Sequence, residues 1–126
     1  MNREIKFRIW DKKNNMFIYV WDASHKRLAI SLNGLVYSGM YDDVLPENDY
    51  TIQQYTGLKD SKGVEIYEGD IVDCKYDDEK VIAEIKYSEE YAAFLCGENA
   101  LWQGWLGKAE IIGNIFETPE LIKTNE

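Results

Sequence analysis

The amino-acid sequence predicts a mainly β protein: small, barrel-like antiparallel sheets with little helix and one short helical turn near the C-terminus. The dominant hydrophobic period is two rather than 3.6, the alternation of strands with one face in a core. Turn clusters interrupt that alternation about every 8–12 residues, the spacing of sandwiches and small barrels. About nine strand candidates can be marked, and almost no helical stripe.

Each element has a local cause. In the first strand Ile5, Phe7 and Ile9 alternate with Lys6 and Arg8. Asp11-Lys12-Lys13-Asn14-Asn15 then turns the chain, and Met16–Trp21 returns it as a hairpin. Leu28–Leu32 and Leu35–Tyr37 flank Asn33-Gly34, a pair suited to the positive φ values of a type I′ hairpin turn. Pro46-Glu47-Asn48-Asp49 breaks the chain before alternation resumes over Tyr50–Tyr55.

The next reversal lies between Gln54–Leu58 and Val64–Tyr67. Asp60-Ser61-Lys62-Gly63 has Asp at the first position of a type I turn and Gly at the last. Glu68-Gly69-Asp70 is a further break. Ile71–Tyr76 places Val72, Cys74 and Tyr76 on one face and Asp73 and Lys75 on the other. After Asp77-Asp78-Glu79-Lys80, the residues Val81, Ala83, Ile85 and Tyr87 line the inner face of the following strand. Ala92–Cys96 is a short apolar strand, residues 97–108 read as a loop or one helical turn, and Glu110–Phe116 is a strand. Thr118-Pro119-Glu120 is a helix start, with Thr as cap and Pro at the first helical position. The single composition shift, near Pro46, divides an N-terminal β-hairpin lobe (about 1–46) from a small-barrel part (about 54–117) within one domain spanning 1–126.

At 126 residues and 45% apolar content the chain is long enough to bury a core of its own. No apolar run approaches the length of a bilayer span, and MNREIKFRIWD lacks a signal-peptide core, so a cytoplasmic location without a membrane partner is expected. The net charge is −9, unevenly spread. Residues 1–30 hold seven Lys/Arg against three acids, and residues 31–126 hold seven lysines against twenty. Phosphate backbones are repelled overall, which disfavours nucleic acid as a partner. Arg3, Lys6 and Arg8 nevertheless form a candidate basic face.

The catalytic inventory is thin. His25 is the only histidine and sits in a polar loop, and there is no GxSxG, HExxH, P-loop or GxGxxG. The paired acids Asp42-Asp43, Asp77-Asp78-Glu79 and Glu89-Glu90 read as solvated turns, because neighbours on an extended chain point to opposite sides. Neither a metal nor a cofactor is expected. Cys74 and Cys96 lack CxxC spacing and are expected to be reduced and buried as small apolar residues, the alternative being a disulfide or a metal pair. Seventeen aromatics remain, nine Tyr, four Trp and four Phe. Among them Trp102 and Trp105, in a stretch containing three glycines, are the candidate partner-binding residues.

Three stretches, in order and spacing, resemble the YopX family of phage and prophage proteins. They are Arg3–Asp11 (REIKFRIWD), Gln54–Val72 (QYTGLKDSKGVEIYEGDIV) and Ile112–Leu121 (IGNIFETPEL). The resemblance implies a mainly β fold and a gene carried on a mobile element of a bacterium; it brings no catalytic residue and no cofactor. Within the central stretch Gly57, Asp60, Gly63, Glu68, Gly69 and Asp70 read as a structural turn motif. Gly69-Asp70 before Ile71-Val72 is also similar to the strand entry of SH3-like small barrels, an analogy of fold alone.

The function expected is therefore non-enzymatic: an accessory protein that binds a host or phage protein. The alternative is a nucleic-acid-binding small barrel using the basic N-terminal strand. A metal-dependent hydrolase built on carboxylates ranks third.

Overall fold

The computed structural model describes residues 4–19, 28–31, 34–38, 43–75, 78–97, 99–100 and 108–123. Among them are twelve strands with exclusively antiparallel pairings, one 3-10 turn (Glu47–Asp49) and one four-residue helix. The chain divides into two units, Ile5–Gln54 and Tyr55–Glu126, with Glu4 falling in the latter. The expected mainly β, antiparallel architecture with little helix and a short C-terminal helical turn is what the chain adopts.

The first unit contains β1 (Phe7–Asp11), β2 (Met16–Tyr19), β3 (Leu28–Ile30), β4 (Val36–Ser38), β5 (Asp43–Val44) and the first half of β6 (Tyr50–Lys59). β1 pairs with β2 on one side and with β6 on the other, while β3, β4 and β5 form a separate three-stranded sheet. Ile9 and Ile18 face each other across β1 and β2, are 0% and 1% exposed, and pack with Val36, Ile30, Leu45, Tyr50 and Ile52. Each fully buried isoleucine contributes about 2 kcal/mol of apolar burial. Asp11 closes the first hairpin from inside, 1% exposed. Its Oδ1 accepts from the Lys13 and Asn14 amides (3.1 and 3.3 Å) and its Oδ2 from Asn14 Nδ2 (2.8 Å).

The second unit contains the rest of β6, then β7 (Glu65–Tyr67), β8 (Asp70–Asp73), β9 (Ile82–Ser88), β10 (Ala93–Cys96), β11 (Asn99–Ala100), β12 (Glu110–Asn114) and helix α1 (Glu120–Lys123). The barrel-like sheet is an open five-stranded one of order β11-β10-β9-β8-β12. Ile66, Val72, Cys74, Ile85, Cys96 and Ala109 form its core, flanked by Leu58, Ala83 and Ile111.

Several local expectations are corrected. Gly34 is not a central residue of a two-residue turn. Its N–H donates to Ser31 O (3.0 Å) at φ +84°, and Ser31 and Leu35 close the loop, the geometry of a three-residue hairpin with a bulge. Val81 and Tyr87 share strand parity with Ile85, yet are 38% and 49% exposed, because the inner face is covered only at its middle. Ala83 is half-buried against the core. Asp73, on the face opposite Val72 and Cys74, is also withdrawn from solvent, at 6% exposed. Its Oδ1 accepts from the Lys75 and Val81 amides (3.0 and 3.2 Å), holding the two ends of the β8–β9 connection together. The strand ends there because Lys75 turns to φ +49°. Asn99–Ala100 is a short strand rather than a loop or helical turn.

Candidate functional site

The central stretch forms a closed set of hydrogen bonds. Gly63 N–H donates to Asp60 O (3.0 Å), the bond of the expected reversal, and Gly63 has φ +80°. Asp60 is 6% exposed because its carboxylate is fully used. Oδ1 accepts from Lys62 and Val64 (both 2.9 Å) within the turn, and Oδ2 accepts from Ile111 N–H (3.1 Å) on β12, 51 residues away. Ser61 N–H adds a bond to Ala109 O (2.8 Å). A local turn thus carries a long-range tether.

The rest of the motif behaves alike. Thr56 Oγ1 donates to Ile66 O (2.7 Å) and accepts from Leu58 N–H (3.2 Å), across a bulge where Gly57 takes φ +90°. Asp70 is 3% exposed and accepts from Tyr67 N–H (2.8 Å). Gly69 donates to Ile85 O (2.7 Å) and accepts from Ile115 N–H (2.9 Å), joining β9 to the C-terminal segment. Glu68 is half-buried in that turn. In the tail, Asn114 Oδ1 accepts from Phe116 and Glu117, while Asn114 N–H donates to Thr118 Oγ1 (3.0 Å). The Thr118 hydroxyl also donates to Asn114 O (3.2 Å), tying the start of α1 back to the end of β12.

The candidate basic face is largely withdrawn from solvent. Arg8 is 5% exposed: Nε donates to Gln53 Oε1 (2.9 Å) and the guanidinium lies 4.2 Å from the Phe17 ring centroid. Lys6 is half-buried, and Arg3 lies outside the described residues. Trp102 and Trp105 lie outside them too, as does His25. A surface ion cluster sits elsewhere, where Lys62 and Lys75 meet Glu110 at 2.6 and 3.1 Å. The Lys62 hydrogen bond, with Lys75 behind it, holds the Glu110 carboxyl below the usual carboxylate range and raises Lys62 in turn.

The sequence reading missed the aromatic tip of the β9–β10 hairpin. Tyr87 packs edge-on against Phe94 across the strand pair, with centroids 5.4 Å apart. Tyr91, in the connecting loop, is 67% exposed and its N–H donates to Ser88 Oγ (3.2 Å). The loop is closed by Ala92 at φ +51° and carries exposed Glu89 and Glu90. The signal in the sequence was a tyrosine three residues after a strand and directly following two glutamates, a position that favours solvent.

Cys74 and Cys96 are buried free thiols, with Sγ atoms 3.5 Å apart. Their mutual hydrogen bond lowers the Cys74 thiol from its ordinary value and, together with burial, pushes Cys96 up. Among the described residues no cluster of three His, Cys, Asp or Glu could hold a metal, and no helix is long and apolar enough to cross a membrane.

Two solved structures are similar over nearly the whole chain. Protein EF1440 from Enterococcus faecalis matches at 28% identity with a TM-score of 0.64, over 96% of this chain and 99% of its own. Protein yopX from Bacillus subtilis matches at 22% identity and 0.60, over 92% and 96%, a likeness of fold. No curated protein sequence matches. A sequence model described as YopX protein covers residues 6–123, and the chain belongs to the YopX family.

Proposed function

We propose that the chain is a non-enzymatic, phage- or prophage-encoded accessory protein that acts by binding a protein of the bacterial host or the phage. The observation that carries the reading is the β9–β10 tip. Exposed Tyr87 and Tyr91, with Phe94 behind Tyr87, offer rigid rings with polar hydroxyl ends, the residue type that dominates protein interfaces. Glu89 and Glu90 flank them, so the complementary surface is an apolar groove with a basic rim, and a phosphate backbone is repelled. Family membership supports the mobile-element context. Trp102 and Trp105 belong to the same proposal from the sequence side.

The test is affinity capture from host lysate with mass-spectrometric identification, repeated with Tyr87→Ser/Tyr91→Ser and with Trp102→Ala and Trp105→Ala. The reading expects one protein retained by the native chain and lost by the tyrosine variant while that variant stays folded, its stability lowered by no more than the roughly 0.5–1.5 kcal/mol of the Tyr87–Phe94 ring pair. Salt-dependent binding of oligonucleotides at micromolar protein, with no protein captured, would overturn it in favour of the nucleic-acid alternative.

A further inference from the structure

The only two cysteines of the chain, 22 residues apart in sequence, end up in contact. The topology explains how. Cys74 extends β8 by donating its N–H to Val81 O (2.8 Å), and Cys96 on β10 lies opposite Ile85, so the two flank β9 from either side. Between Val81 and Ile85 on the same face stands Ala83, whose single methyl leaves room for the two sulfurs to meet at 3.5 Å. Each cysteine is also the last residue before the chain turns away, into Lys75 at φ +49° and Gly97 at φ +63°.

We propose that Cys74 and Cys96 are a dithiol redox site, which a low-molecular-weight disulfide converts into an intramolecular disulfide clamping β8 to β10 across β9. The sulfurs must close from 3.5 Å to about 2.05 Å, a movement that the two turning positions beside them can absorb. Cys74, the more acidic partner, releases its proton to solvent and attacks one sulfur of the reagent, expelling the first thiolate. Cys96 then loses its proton and attacks Cys74 Sγ, expelling the second. Two protein thiols are oxidised and one small disulfide is reduced to two thiols. Both cysteines are buried, so the exchange proceeds through transient opening of β10, whose outer neighbour in the sheet is the two-residue β11.

The test is incubation of the native full chain with oxidised glutathione, read by intact mass, by thiol titration in denaturant and by peptide mapping. The expected product has lost about 2 Da and both titratable thiols, with a 74–96 cross-link. Its melting midpoint is raised by roughly 5–15 °C, and dithiothreitol reverses the gain. Cys74→Ser and Cys96→Ser should each show no such gain. Two thiols still titratable after incubation, a stable glutathione adduct on the native chain, disulfides only between chains, or a midpoint that falls on oxidation would each overturn the proposal.

Discussion

Replacing Asp60 by Ala tests the reading of the central motif as a structural clasp. The substitution removes three charge-assisted bonds at once: those from Lys62, Val64 and Ile111. A hydrogen bond to a charged group contributes about 1.5–3 kcal/mol when its donor has no other partner. Lys62 and Val64 are exposed residues whose amides can turn to water, so each loses about 1 kcal/mol or less; Ile111 is half-buried on β12 and loses about 1.5–2. The sum is about 3–4 kcal/mol, a large share of the roughly 5–15 kcal/mol that holds a domain together. Asp60→Asn should cost about half as much, since Oδ1 is kept while the new amide turns a donor toward the Ile111 N–H. Urea melting followed by far-ultraviolet circular dichroism reads the difference, expected as a midpoint lowered by about 2 M for the alanine variant at unchanged slope. A loss below about 1 kcal/mol would show that the turn holds without its aspartate.

Gly63→Val should destabilise by about 1–3 kcal/mol through backbone strain alone, since space at its Cβ is open and φ is +80°; the urea midpoint measures this. Gly113→Ala should cost about 1–3 kcal/mol for the opposite reason. Its Cβ would fall onto the Thr118 hydroxyl and 2.9 Å from Leu121 Cδ1, so adding Thr118→Ala should recover part of the loss in a double-mutant cycle. Arg8→Lys should lose about 1–2 kcal/mol, because an ammonium keeps neither the Gln53 geometry nor the stacking on Phe17. Glu110 has its folded pKa depressed, so its small stabilisation is present above the unfolded carboxylate value and fades as pH falls through the folded one. Melting of Glu110→Gln against the native chain should therefore differ slightly at neutral pH and converge in acid.

What was legible in the sequence was local. Asp60-Ser61-Lys62-Gly63 announced its turn because Asp and Gly hold fixed roles three residues apart, and the turn is there with Gly63 at positive φ. The bond from Ile111 to the same carboxylate joins residues 51 apart, and no window of sequence contains it. Arg8 illustrates the cost of that blindness: alternation put it on a polar face, while Gln53 and Phe17, brought alongside by β6 and β2, bury it. Period two assigned Val81 and Tyr87 to the correct face but could not say how far along β9 the core extends. The exposed Tyr91 needed the length of the β9–β10 loop, which depends on Ala92 adopting a conformation that its side chain does not favour.

The most direct measurement sets fold and contact surface against each other: urea midpoint and capture of the same partner, both measured for Asp60→Ala and for Tyr87→Ser/Tyr91→Ser. The account predicts opposite losses. The aspartate variant, held well below its melting temperature, unfolds at much lower urea yet still captures the partner, whereas the tyrosine variant gives up at most the Tyr87–Phe94 ring contact from its midpoint and loses the partner. Capture abolished in folded Asp60→Ala but intact in the tyrosine variant would contradict the account, making the central motif the recognition surface and the β9–β10 tip incidental.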